Sequence, residues 1–126
     1  MWECSSEVLK DLDKVRDAMV RAANEAKATV VEVAFHEFNP FGISGMVIIA
    51  ESHLSIHTWP EYGYAAVDIF TCGDLIKPEV AADFLVEQFG CRMCDKKVLD
   101  RGIPSGECRA LPHKPVQDET ERYVTA

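Results

Sequence analysis

The chain has 126 residues, is 48% hydrophobic and carries a formal charge of -8 at neutral pH. That length fits a single domain, residues 1–126, with one two-layer core. The acidic balance, with no Lys/Arg cluster to offset it, excludes nucleic acid as the main partner, and it otherwise reads as a solvated surface.

After Cys4, Ser5 or Ser6 can cap a helix in which Val8, Leu12, Val15, Met19, Ala22, Ala23 and Ala26 recur at helical spacing. Thr29 to Phe38 is rich in β-branched and aromatic residues and reads as a strand, ended by the turn-forming run Asn39-Pro40-Phe41-Gly42. Met46 to Ala50 resumes as a buried strand, and Glu51 to Trp59 continues it or pairs with it. Pro60-Glu61-Tyr62-Gly63 makes a turn before a strand from Tyr64 to Thr71. Pro78 suits the first position of a second helix with Val80, Phe84, Leu85 and Phe89 as its stripe, and Gly90 stops it. Cys91 to Leu99 reads as a weaker final strand, and the Gly- and Pro-broken, charged run 101–126 reads as a mobile tail. Strands interrupted by two helices predict an α+β fold, a two-layer sandwich of a mostly antiparallel sheet with both helices on one face.

No apolar stretch reaches membrane-span length, and Met1-Trp2-Glu3-Cys4 lacks the layout of a signal peptide, so a cytoplasmic protein away from membranes is expected. Five cysteines, an odd number, then read as reduced thiols. Cys91, Cys94, Cys108 and His113 have nearly zinc-like ligand types, but their spacing is loose and no metal is expected.

The run Glu51-Ser52-His53-Leu54-Ser55-Ile56-His57-Thr58-Trp59-Pro60-Glu61 gathers acid, hydroxyl, imidazole and aromatic groups in one strand-like segment. Alternation puts His53, Ser55, His57 and Trp59 on one face and Ser52, Leu54, Ile56 and Thr58 on the other. Residue types alone do not choose between Ser52 and Ser55, and a single strand serine or histidine is more often structural than catalytic.

With its continuation Tyr62-Gly63-Tyr64-Ala65-Ala66-Val67-Asp68-Ile69-Phe70-Thr71-Cys72-Gly73, this run closely resembles the prokaryotic S-adenosylmethionine decarboxylases. The resemblance runs without a gap from about Trp2 to Gly73 and fades after it. It implies a proenzyme that cuts itself between Glu51 and Ser52 into a β chain, 1–51, and an α chain, 52–126. Ser52 matches the self-cleaving serine, which becomes a covalent pyruvoyl group, the cofactor that holds substrate as a Schiff base. His57 matches the processing base, Ser44 the serine assisting it, and Cys72 the proton donor of decarboxylation. Phe38 matches an aromatic that stacks on adenine, and Glu61 a carboxylate that binds the ribose hydroxyls. No role follows for His36 or His53.

The activity so implied is decarboxylation of S-adenosylmethionine, supplying aminopropyl groups for spermidine. The implied assembly is a homodimer with its sites at the subunit junction, Ser52 and Cys72 from one copy and Phe38, Ser44, His57 and Glu61 from the other. Two alternatives are the same chemistry on arginine or ornithine, disfavoured by Phe38 and Glu61, and an unprocessed, non-catalytic partner subunit. Relatives have a further strand before the position of Trp2, and its loss would expose a neighbouring strand and thin one wall of the pocket.

Overall fold

Ser5 caps α1 (Ser6–Leu9), its hydroxyl accepting from the Val8 amide at 3.4 Å. The expected single helix is in fact two, because Asp11 Oδ1 accepts from the Lys14 amide at 3.1 Å and opens α2 (Leu12–Glu25). That amide holds the Asp11 carboxyl below the usual carboxylate range. Val15, Ala18, Met19, Ala22 and Ala23 of α2 are buried. The helix ends where Lys27 turns left-handed (φ 63), with Ala28 N–H donating to Ala23 O and Lys27 N–H to Asn24 O, both at 2.9 Å.

This model, a computed structural model, describes residues 1–102. The expected tail lies, from residue 103 onward, outside the described residues, as do Cys108 and His113. Residues 1–96 form one compact unit, and residues 97–102 of the second unit contain no helix or strand.

Strands β1 (Val30–Glu37), β2 (Ile43–Ile49), β3 (Ser52–Trp59) and β4 (Tyr64–Phe70) form a four-stranded antiparallel sheet in sequence order. Strand β2 starts before the expected Met46 because Ser44 and Gly45 pair with His36 and Phe35. Only glycine fits at 45, since a Cβ there would lie 2.0 Å from the Phe35 ring. Side chains alternate along β3: Leu54, Ile56 and Thr58 are buried, whereas His57 and Trp59 are exposed. Register carries the exposed row across the sheet, setting Ser44 opposite His57, Met46 opposite Ser55 and Ile48 opposite His53.

Helix α3 (Pro78–Gln88) opens on Pro78 and buries Ala81 and Leu85, followed by buried Phe89. Val80, expected on the apolar stripe, is exposed instead, and Ala81 faces inward. The helices and sheet share one apolar cluster, in which Val15, Met19, Leu85 and Phe89 join Val47, Leu54 and Ile56. Thr58, a buried polar residue within it, accepts from the Ile43 amide and donates to Leu9 O, each at 3.0 Å.

The expected strand from Cys91 to Leu99 does not form; Met93 makes an isolated bridge with Trp2. Arg92, Asp95, Lys96 and Lys97 leave this stretch without an apolar face, and Lys96 instead pairs with Asp83 of α3. On the far side of the sheet from β1, Met1 exchanges backbone hydrogen bonds with Ala65 of β4 at 3.0 and 3.1 Å. Among the described residues, no helix is long and apolar enough to cross a membrane.

Candidate active site

Strands β2 and β3 are joined by only Ala50 and Glu51, with Ile49 opposite Ser52. Two-residue hairpins favour residues that accept positive φ, and neither alanine nor glutamate is one. The strain falls on the next residue: Ser52 has φ 147, a conformation that costs a side-chain-bearing residue about 1–3 kcal/mol. Neighbours hold the turn there. Ala50 N–H donates to Thr29 O at 2.8 Å, and Glu51 Oε2 accepts from the Thr29 amide at 3.1 Å.

The Glu51 carbonyl oxygen, part of the peptide bond leading into Ser52, accepts a hydrogen bond from Cys72 Sγ at 2.8 Å. That thiol reaches it from just beyond β4. On the other side of the bond, Ser52 Oγ lies 3.3 Å from His53 Nδ1, and His53 Nε2 lies 3.3 Å from Asp68 Oδ2. Glu51, Ser52 and Cys72 are thus brought together. His53 and Asp68 join them, although nothing in the linear motif pointed to either.

At the other end of β3, Ser44 Oγ and His57 Nδ1 are 2.7 Å apart across the β2–β3 ladder. They line a cleft of about 360 Å³ together with Phe38, Phe41, Trp59 and Glu61. Phe38 is half exposed, with the His36 ring packed against it at a centroid distance of 4.6 Å. Its amide receives no freedom from that exposure, since it donates to Gly42 O at 2.8 Å and closes the β1–β2 turn. Gly42 has φ 105, and a Cβ there would come within 3.3 Å of the Thr58 carbonyl. An aromatic face and a carboxylate on one rim suit a ligand with a planar ring and paired hydroxyls.

The two clusters are separate within one chain. Ser52 and His57 are five residues apart on one extended strand, about 16 Å at the strand rise of about 3.3 Å per residue. His57 therefore does not reach the Ser52 of its own chain. Among the described residues, no group of three or more His, Cys, Asp or Glu side chains is arranged to hold a metal ion, and Cys4, Cys72, Cys91 and Cys94 are not in disulfides.

Residues 1–102 match the S-adenosylmethionine decarboxylase family. The chain is 56% identical over 118 residues to an S-adenosylmethionine decarboxylase proenzyme of Thermodesulfovibrio yellowstonii, covering 94% of this chain and 87% of that one. It is 50% identical over 117 residues to the protein of that name in Acidithiobacillus ferrooxidans, covering 88% of each. Among solved structures, it is similar to the adenosylmethionine decarboxylase of Aquifex aeolicus, with a TM-score of 0.78 and 36% identity over 85% of this chain and 88% of that one.

Proposed function

The chain belongs to the S-adenosylmethionine decarboxylase family, and on that premise we propose that it decarboxylates S-adenosylmethionine through a pyruvoyl group made from its own Ser52. The product serves as the aminopropyl donor for spermidine. The observation that carries the self-cleavage is the 2.8 Å hydrogen bond from Cys72 Sγ to the Glu51 carbonyl beside a strained serine. A donor on that oxygen steadies the negative charge that builds when Ser52 Oγ adds to the carbonyl carbon.

Ser52 exchanges its peptide bond for an ester with Glu51, which turns a poor leaving group into a carboxylate. His57 then removes the Cα proton of Ser52. For its Nε2 to be the free base, Nδ1 keeps the proton and donates it to Ser44 Oγ, which fixes the tautomer at 2.7 Å. Elimination of the Glu51 carboxylate leaves dehydroalanine, and hydrolysis with loss of ammonia leaves the pyruvoyl group at position 52. At position 52 that group would supply a carbonyl to hold a substrate amine and an electron sink for decarboxylation. Cys72 holds the proton that returns to the former α-carbon, and Phe38 and Glu61 hold the nucleoside.

The separation of about 16 Å between Ser52 and His57 supports a homodimer in which each site combines both ends of β3, one from each copy. In this reading α2 and α3 cover one face of a two-layer sandwich. The opposite face, where Met46, Ile48 and Trp59 stand exposed, meets its copy.

The test is intact mass followed by mixing. Purified protein should consist of chains 1–51 and 52–126, the second beginning with pyruvoyl, and Ser52→Ala should stay whole. Co-expressed Ser52→Ala and Glu61→Gln subunits should regain CO₂ release from S-adenosylmethionine, because one of two junctions gathers both defects. A chain that stays uncut sinks the pyruvoyl reading, and verified mixed dimers without activity sink the shared site.

A further inference from the structure

Three polar side chains stand in a row from the scissile serine: Ser52 Oγ, the His53 ring and the Asp68 carboxylate, with 3.3 Å at each step. An ionised carboxylate only accepts hydrogen bonds, so the ring nitrogen facing Asp68, Nε2, carries the proton. The other nitrogen, Nδ1, then offers its lone pair to the Ser52 hydroxyl. The ring is held in place as well, edge-on to Phe70 with centroids 5.7 Å apart and only 28% of its side chain exposed. Asp68 reaches it diagonally, because β4 sets Phe70 opposite His53 and Asp68 opposite Ser55.

We propose that His53 is the catalytic base, and then the acid, of the first self-cleavage step, with Asp68 as the residue that positions it. This deepens the reading above and rests on Ser52 being the self-cleaving serine. His53 Nδ1 takes the proton from Ser52 Oγ as that oxygen bonds to the Glu51 carbonyl carbon. The negative charge moves to the carbonyl oxygen, where the Cys72 thiol donates to it. When the oxygen's electron pair re-forms the C=O bond, the carbon–nitrogen bond breaks, and the Ser52 nitrogen leaves with the proton returned by His53. No oxidant, reductant or further reactant is consumed. The two histidines then divide the work. His53 serves the acyl shift within its own chain, and His57, about 16 Å away along β3, serves the elimination in the partner copy.

Hydroxylamine separates the two steps, since it cuts an ester rapidly and a peptide bond hardly at all. In freshly translated His57→Ala chain the ester should build up, so the chain stays whole in buffer and splits between 51 and 52 when hydroxylamine is added. In His53→Ala/His57→Ala chain, that split should slow by about 100-fold or more, the usual size of a general-base effect. Added imidazole should restore part of the rate, which a merely structural role would not allow. Asp68→Asn in the His57→Ala background should slow the split by about 10-fold or more, and Asp68→Glu should recover some of it. Thermal unfolding of each variant checks that it is folded. Should the alanine variant not fold, His53→Gln replaces it, because glutamine keeps a donor for Asp68 and has no basic nitrogen. An unchanged rate of hydroxylamine cleavage in a folded His53 variant, or in Asp68→Asn if neither His53 variant folds, overturns the proposal. A wild-type chain that never cuts at Glu51–Ser52 overturns the pyruvoyl reading and this one together, whereas normal cutting with indifferent His53 variants removes this one alone.

Discussion

Thr58→Val removes one oxygen from the middle of the core and leaves two backbone groups without a partner. Thr58 Oγ1 accepts from Ile43 N–H and donates to Leu9 O at 3.0 Å each, and Ile43 and Leu9 are 1% and 0% exposed. Water cannot easily take over at such depth, so each abandoned group costs about 1–3 kcal/mol. Allowing for the apolar surface that valine adds, the loss should total about 2–4 kcal/mol, a large part of a typical stability of about 5–15 kcal/mol. For a unit of this size that corresponds to a fall in melting temperature on the order of 10–20 °C. Urea and thermal unfolding of Ser52→Ala/Thr58→Val against Ser52→Ala measure it with the chain whole in both. Thr58→Ser, which keeps the hydroxyl and loses a methyl, should cost about 1 kcal/mol. A valine variant within about 0.5 kcal/mol of its parent, the size of an ordinary surface change, would refute the reasoning.

Cys72→Ala should still cut itself, about 10-fold or more slowly, because the Glu51 oxygen loses its donor; its turnover should fall further, as mass spectrometry and CO₂ release will report separately. Gly45→Ala should destabilise the fold by about 1–3 kcal/mol, since the added carbon meets the Phe35 ring at 2.0 Å, and Phe35→Leu should recover part of that in urea unfolding. Burial, with a hydrogen bond to Cys4 adding to it, pushes the Cys91 thiol up to about 12 from an ordinary 9.0. Iodoacetamide at neutral pH should therefore label exposed Cys94 and spare Cys91. The sign for stability follows from the raised value: the contribution is whole below about pH 9, and urea unfolding should show it fading as pH climbs from there towards 12.

Strand β3 was legible because one of its faces is buried, so Leu54, Ile56 and Thr58 alternate with His53, Ser55 and His57. The break between α1 and α2 was hidden because the apolar spacing from Val8 to Leu12 runs straight across it, and the Asp11 cap competes with continuation only locally. Ser44-Gly45 had the composition of a turn, yet Gly45 is in the ladder because the Phe35 ring lies over it. Cys91–Leu99 failed as a strand for want of an apolar face. In the site, Cys72 meets the carbonyl of Glu51 beside Ser52, and Ser44 meets His57. The link from His53 to Asp68 depends on how β3 and β4 are registered, fifteen residues apart, and no linear pattern states a register. The Thr29 amide under Glu51 was hidden for the same reason.

The Ala50–Glu51 link has a consequence for how long a molecule lasts. Before the cut, the two middle strands of the sheet meet at the high effective concentration of a short tether, on the order of millimolar or more. After the proposed cut, β1, β2 and α2 would belong to one piece and β3, β4 and α3 to another, held by the ladder from Ser44–His57 to Ile49–Ser52, by the shared core and by links such as Met1 to Ala65 and Trp2 to Met93. Reassembly then becomes a meeting of two fragments, each with an unpaired central strand, at whatever dilution the solution imposes. The uncut chain can unfold and return. A cut one would keep its shape for as long as it avoided opening, so its persistence would be governed by an unfolding rate and its working life, in effect, counted from the moment of cleavage.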